Sequence, residues 1–168
     1  MKTPICTFCL KSGILCPKCQ EKVEKGEVSE LDIKIAKELL ELEPRFPALK
    51  DVEFKKCIEI GPLIIILVGE KDVSSVIGPN GKIVKILGSK LNKKIRVVGS
   101  SPDIRKTIQD LLAPAEVLGV NIVWLPDGSY EKKVRVRRLD VKRLPADIET
   151  LENAIQCLLN ERFRIVLE

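Results

Sequence analysis

The residues with the most definite chemistry come early in the chain. Cys6-Thr7-Phe8-Cys9 and Cys16-Pro17-Lys18-Cys19 form C-x2-C-x6-C-x2-C, and the short Lys11-Ser12-Gly13-Ile14-Leu15 segment lets the two pairs meet. Each pair can wrap one side of a tetrahedral metal. Four thiolates suit one structural zinc in a closed shell with no open position for water. Disulfides are the bland alternative, disfavoured in a reducing cytosol, and iron is the lesser metal alternative. Little apolar mass surrounds these cysteines, so metal binding is expected to supply the folding energy of residues 1–25, about 10 kcal/mol or more. Lys2, Lys11 and Lys18 have no acid beside them in residues 1–20. The module therefore either touches phosphate or is a solvated docking piece. Cys57 and Cys157 stand alone in apolar surroundings and read as small buried hydrophobes.

The second group is Val76-Ile77-Gly78-Pro79-Asn80-Gly81-Lys82-Ile83-Val84. Glycine lacks a Cβ, so backbone at Gly78 and Gly81 can approach a bulky partner. A helix starting after Gly81 would offer free N–H groups and a positive dipole end to an anion. Lys82, Lys85, Ser89 and Lys93 follow at spacings of three to four, along one side of that helix. Between Lys82 and Arg96 there are six basic residues and no acid. Taken alone, G-x-x-G is a turn and a charge run is a solvated face. Together they point to a clamp for a nucleic-acid backbone.

These residues need elements to position them. Gln20 to Gly26 reads as a polar linker. Ser29 is the expected N-cap of a helix to about residue 43, with Leu31, Ile35, Leu39 and Leu42 inward and an acidic outer side, ended by Pro44 and Pro47. Residues 52–60 and 63–69 read as a hairpin around Gly61-Pro62, the second run apolar throughout as in a strand buried on both faces. A short helix over 72–77 with Asp72 as its cap, a helix over 82–91 and a strand over 95–99 complete this series. The order then recurs: a helix from Asp103, a strand over 117–125, a turn at Pro126-Asp127-Gly128-Ser129, a strand over 132–139, a helix over 147–160 and a strand over 164–167. This is the mark of an internal duplication.

The order helix–strand–strand–helix–GxxG–helix–strand resembles a type-II KH domain, and Ile77-Gly78-Pro79-Asn80-Gly81-Lys82-Ile83 resembles that family's I-G-x-x-G core. The resemblance implies a loop that clamps about four nucleotides of single-stranded backbone, with bases against an apolar groove. It assigns RNA binding to Gly78, Pro79, Asn80, Gly81, Lys82, Lys85 and Lys93. Ile77 and Ile83 would be core or groove wall. Pro79 and Asn80 depart from the basic residues the family often carries there, which shifts affinity toward Lys82, Lys85 and their neighbours.

Over roughly residues 29–168 the chain resembles the archaeal NusA-like proteins, two type-II KH domains in tandem, with Ala113-Pro114-Ala115 at the junction. The expected fold is α+β: a zinc knuckle over 1–25, a first KH domain over 27–100 and a second over 101–168, each running helix-strand-strand-helix-helix-strand. The second copy is degenerate. Leu144-Pro145-Ala146-Asp147-Ile148 replaces the glycine turn, and Glu149 and Glu152 stand where the first copy has lysines. Strand alternation places Lys133, Arg135 and Arg137 on one face, either as auxiliary RNA contacts or as a charged edge that discourages aggregation.

The resemblance implies a single-stranded RNA-binding factor acting in transcription elongation or termination, with nascent transcript and RNA polymerase as partners. The alternative is a ribosome-associated protein, a small-subunit ribosomal protein or an assembly factor that binds ribosomal RNA. Single-stranded DNA is a third ligand class. No histidine, P-loop or paired-carboxylate cleft appears, so an enzyme is not expected. The net charge of +5 is mild, and its distribution matters more than its total. No apolar run reaches the roughly 18–20 residues that span a bilayer, and the first residues do not read as a signal peptide. A cytoplasmic protein without a membrane partner is expected.

Overall fold

The computed structural model describes residues 1–168, which divide into two compact units. The first comprises Met1–Glu59 and Ile64–Ser100, and the second Ser101–Glu168 together with Ile60–Leu63. The fold class is α+β, with a three-stranded sheet in each unit.

The first unit contains α1 (Thr7–Ser12), α2 (Pro17–Glu24), α3 (Glu30–Leu42), β1 (Phe54–Ile60), β2 (Leu63–Gly69), α4 (Val73–Ile77), α5 (Lys82–Leu91) and β3 (Lys94–Ser100). The sheet order is β1-β2-β3. Helix α3 begins where expected, through a reciprocal cap: Ser29 Oγ accepts from Asp32 N–H at 3.1 Å, and the Asp32 carboxylate accepts from Ser29 N–H at 2.9 Å. Such a cap contributes about 1 kcal/mol. Asp32 then extends inward to accept from the Cys57 N–H and thiol at 2.7 and 3.1 Å, fixing α3 against β1. Burial, followed by the Asp32 carboxylate, pushes the Cys57 thiol far above its ordinary range. Leu63, Ile64, Ile65, Ile66 and Val68 are all buried, so β2 is enclosed on both faces as its unbroken apolar run requires.

Three local expectations change. The polar stretch 20–26 is mostly helical, because Pro17 sits in the first turn of α2 and starts a helix that carries Cys19 and Val23 inward. Asp72 does not cap α4 with its side chain; its carboxylate instead accepts from Glu53 N–H at 3.0 Å. Residues 1–25 share their apolar cluster with the rest of the unit. Ile5, Cys9 and Leu10 are buried in the same cluster as Ile35 and Leu39 of α3, and Lys2 exchanges backbone hydrogen bonds of 2.8 Å with Val52 and Phe54.

The second unit contains α6 (Ile104–Leu112), β4 (Val117–Trp124), β5 (Tyr130–Val136), α7 (Ile148–Leu159) and β6 (Phe163–Leu167). β4 and β5 are antiparallel, β5 and β6 parallel, and the β4–β5 register is broken between Val117 and Gly119. The helix-strand-strand-helix-helix-strand series is complete in the first unit. In the second, its first post-hairpin helix is a 3-10 turn, Arg138–Arg143. The strand expected to 139 stops at Val136 because Asp140 gathers the following chain. Its buried carboxylate accepts from Glu116 N–H at 3.2 Å and from Arg137 Nε at 3.0 Å, with Arg143 3.6 Å away. Cys157 also departs from expectation: it lies on the exposed side of α7. No helix in the chain is long and apolar enough to cross a membrane.

Candidate functional site

The glycine turn takes its shape from three left-handed residues in a four-residue span. Gly78 (φ 79°, ψ 172°) ends α4, Asn80 has φ 55°, and Gly81 (φ 70°, ψ 22°) precedes α5. At Gly78 space is as restrictive as conformation. A Cβ there would lie 2.7 Å from Ile83 Cγ1, inside the core position that anchors α5. The turn is braced by Gly78 N–H donating to Ser74 O at 3.0 Å and Gly81 N–H donating to Gly78 O at 3.2 Å. No side chain caps α5 and its first turn contains no acid. The Gly81 and Lys82 N–H groups are taken up by Gly78 O and Pro79 O within the turn, and the positive end of the α5 dipole is left without an acid to offset it.

Lys82 and Lys85 are both exposed and carry no ion pair. Ile83 and Leu87, on the opposite side of α5, are fully buried. The turn and both lysines thus form one continuous surface. Lys93 is placed differently: it sits beyond α5 in an ion pair with Glu59 of β1. Lys90 is likewise held by Glu38, at 2.7 Å. Much of the basic run is therefore neutralised, and the charge left for an external anion is concentrated next to the glycines.

An open cleft of about 350 Å³ adjoins the turn, with Gly78, Pro79 and Ile83 along one side and Ser74 and Ser75 nearby. Its other wall is Arg45-Phe46-Pro47-Ala48, with the Arg45 guanidinium carbon 5.6 Å from the Phe46 ring centre. In the sequence this stretch reads only as the stop of α3, at Pro44 and Pro47. The signal it offered was an arginine and an aromatic between two prolines, in a segment with no helical or strand period.

The corresponding place in the second unit is closed to anions. The Asp147 carboxylate caps α7, accepting from Thr150 N–H at 3.3 Å and from the Thr150 hydroxyl at 2.5 Å. The Thr150 hydroxyl and then its N–H hold Asp147 below the usual carboxylate range. Glu149 occupies the first turn. Glu152 points elsewhere, accepting from Ile165 N–H at 2.9 Å. Among the basic residues singled out on β5, Lys133 and Arg135 lie on the strand, Arg135 3.5 Å from Glu168. Arg137 falls past the strand end and is held by Asp140 and Glu116.

The four cysteine sulfurs Cys6, Cys9, Cys16 and Cys19 lie within 4.8 Å of one another. Cys6 and Cys9 are 3.1 Å apart and Cys6 and Cys19 3.7 Å. A metal with bonds of about 2.3 Å to four sulfurs in a tetrahedron separates them by about 3.8 Å, so the cluster is close to a coordinating shell. Backbone N–H groups point at two sulfurs: Cys16 N–H at Cys9 Sγ, 3.1 Å, and Cys6 N–H at Cys19 Sγ, 3.5 Å. The Cys19 N–H, then its thiol, draws Cys16 down to about 6, and the Cys9 thiol, then its N–H, lowers Cys6. Cys9 and Cys19 are raised. Four thiolates packed this closely repel one another, and a cation at their centre is what lets all four ionise. The donor set fits a metal ion.

No protein-family profile matches the chain. The probable transcription termination protein NusA of Methanocaldococcus jannaschii is 31% identical over 80 residues, a match covering 48% of this chain and 42% of that protein. The likeness thus spans under half the length of either protein. Among solved structures, the crystal structure of APE1850 superposes with a TM-score of 0.53 at 20% identity, covering 77% of this chain and 96% of that one. At that identity the structural likeness concerns the fold, and it extends over nearly the whole of the compared chain.

Proposed function

We propose that the chain is a non-enzymatic, single-stranded RNA-binding factor of the NusA-like type, acting in transcription elongation or termination. Both units are read as type-II KH domains, the first carrying the clamp and the second supporting it as a degenerate copy. The observation that carries this reading is the continuous surface from Gly78 to Lys85: a turn without side chains at its two approach points, an uncapped helix start and two unpaired lysines. The partial likeness to a probable transcription termination protein supports the cellular role. The four cysteines are proposed to hold one zinc, which would fix the N-terminal helices without taking part in chemistry.

A phosphate would approach the positive end of α5, Lys82 would meet it at the helix start, and Lys85 would take its neighbour one turn on. Pro79 removes one donor and stiffens the loop. The test is the double variant P79D/N80D, which sets two carboxylates against the phosphates at exposed turn positions. Anisotropy with a labelled oligouridine of about four residues, the span of such a clamp, should show binding abolished while circular dichroism stays unchanged. Undiminished binding would remove the clamp assignment. Purification from cells with RNA polymerase and nascent transcripts supports the transcription role. Stable sedimentation with one ribosomal subunit after a salt wash would replace it with the ribosomal one.

A further inference from the structure

The second unit carries a basic cleft that its lost glycine turn does not explain. β4 is an edge strand, since the sheet order is β4-β5-β6. Its register breaks between Val117 and Gly119. A Cβ on Gly119 would lie 2.6 Å from Arg135 Nη2, so the missing side chain is what allows the Arg135 guanidinium to lie across β4. From the neighbouring helix, Arg105 Nη2 donates to Leu118 O at 3.3 Å. Arg105, Arg135 and Lys132 line an open cleft of about 430 Å³ along β4, and none of its lining residues is acidic.

The charges are unequally available. Lys132 is paired with Glu161 at 2.5 Å. Arg135 has Glu168 3.5 Å from Nη1, but its Nε is buried and has no partner. Arg105 has no carboxylate partner. At the open end of the cleft Ile122 is 55% exposed, and two residues on, about 7 Å along the strand, Trp124 is 70% exposed. The Trp124 ring is 5.4 Å from that of Tyr130 on β5, tilted by 60°. Exposed aromatic faces further along the same strand, with Arg105 free of any carboxylate and Arg135 paired only through Nη1 to Glu168, suit a chain of bases and phosphates, because every base has a stacking face and every linkage a negative charge. Strand addition by a peptide is disfavoured here. The broken register interrupts the edge ladder, and Arg105 already occupies the Leu118 carbonyl.

We propose that the β4 edge is a second site for single-stranded nucleic acid, holding phosphate between Arg105 and Arg135 and stacking a base on the Trp124–Tyr130 pair. This site does not depend on the glycine clamp. It relocates the auxiliary contacts expected on β5: Arg135 takes part from the edge, and Arg137 is locked to Asp140.

Trp124 is the only tryptophan in the chain, so its fluorescence reports the site directly. Oligouridine several times longer than the clamp span should quench it saturably in the full chain and in the P79D/N80D variant. R105E and Y130A, both at exposed side chains, should each weaken the quenching midpoint about tenfold with unchanged circular dichroism. Absence of quenching in the natural sequence overturns the proposal, as does quenching that R105E leaves untouched. Polyglutamate that quenches as well as the oligonucleotide overturns the assignment to nucleic acid. If P79D/N80D leaves short-oligonucleotide binding intact, the clamp fails, and Trp124 quenching still decides the second site.

Discussion

At the scale of single residues, the two glycines of the turn are not equivalent. Both have positive φ, but only Gly78 lacks room for a methyl group: a Cβ on Gly81 would meet nothing closer than Val84 Cγ2 at 3.6 Å. G81A should therefore cost about 1 kcal/mol, the left-handed strain alone. G78A adds a clash with Ile83 and should cost more, up to about 3 kcal/mol. Urea unfolding measures both, and equal midpoints would contradict the packing argument. Asp140 makes the parallel case for a charge. The Glu116 N–H first, then Arg137, hold its carboxylate below the usual range. Since the folded state resists protonation, this stabilisation is complete above the ordinary carboxylate pKa of about 3.9. It fades as pH falls through the lowered folded value. D140N should lower the urea midpoint at neutral pH, and its deficit should shrink on acidification. A deficit constant from neutral pH to strong acid would show that the charge is not what matters.

At the scale of elements, metal and core divide the work of holding the N-terminal helices. The sequence suggests a knuckle folded by metal alone, but Ile5 and Leu10 are buried against α3. Chelation should consequently loosen α1 and α2 and lower the melting temperature of the first unit without unfolding α3 or its sheet. Hydrogen exchange should show protection lost in residues 6–24 and kept in β2. Metal analysis should find about one zinc per chain, and none in an intact fold would remove the assignment. The same two layers explain what could be read in advance. The strands, α3, α5 and α7 were legible because each is long enough to show its period, and α3 and α7 also carry the side-chain caps Ser29 and Asp147. The extent of α2 was hidden by a polar surface and only Cys19 and Val23 facing inward. The 3-10 turn at Arg138–Arg143 depends on Asp140 meeting Glu116, a contact 24 residues apart. The glycine turn and cysteine cluster were visible as local spacings. The Arg45–Phe46 wall and the Arg105–Arg135 cleft were not, because each forms only when distant segments meet.

At the scale of the whole molecule, the question is where the net charge of +5 can act. The chain has 29 lysines and arginines against 24 acids, and many of the cations are already engaged, among them Lys90, Lys93, Lys132 and Arg137. Affinity for a polyanion should therefore come from a few positions that are unpaired or, like Arg135 with Glu168 at 3.5 Å, loosely paired, and not from a diffuse basic surface. Each phosphate neutralised on a single strand contributes about −0.7 to the slope of log affinity against log salt. K82Q/K85Q should flatten that slope by about 1.4 for short and long oligonucleotides alike. R105Q/R135Q should flatten it by a similar amount for long ones only, since the short ligand is taken up by the clamp. If the two double variants combine additively, the units bind independently along one strand. If K82Q/K85Q lowers affinity and leaves the slope unchanged, the lysines support the turn's shape without touching phosphate. The anion site would then reduce to the dipole end at the start of α5.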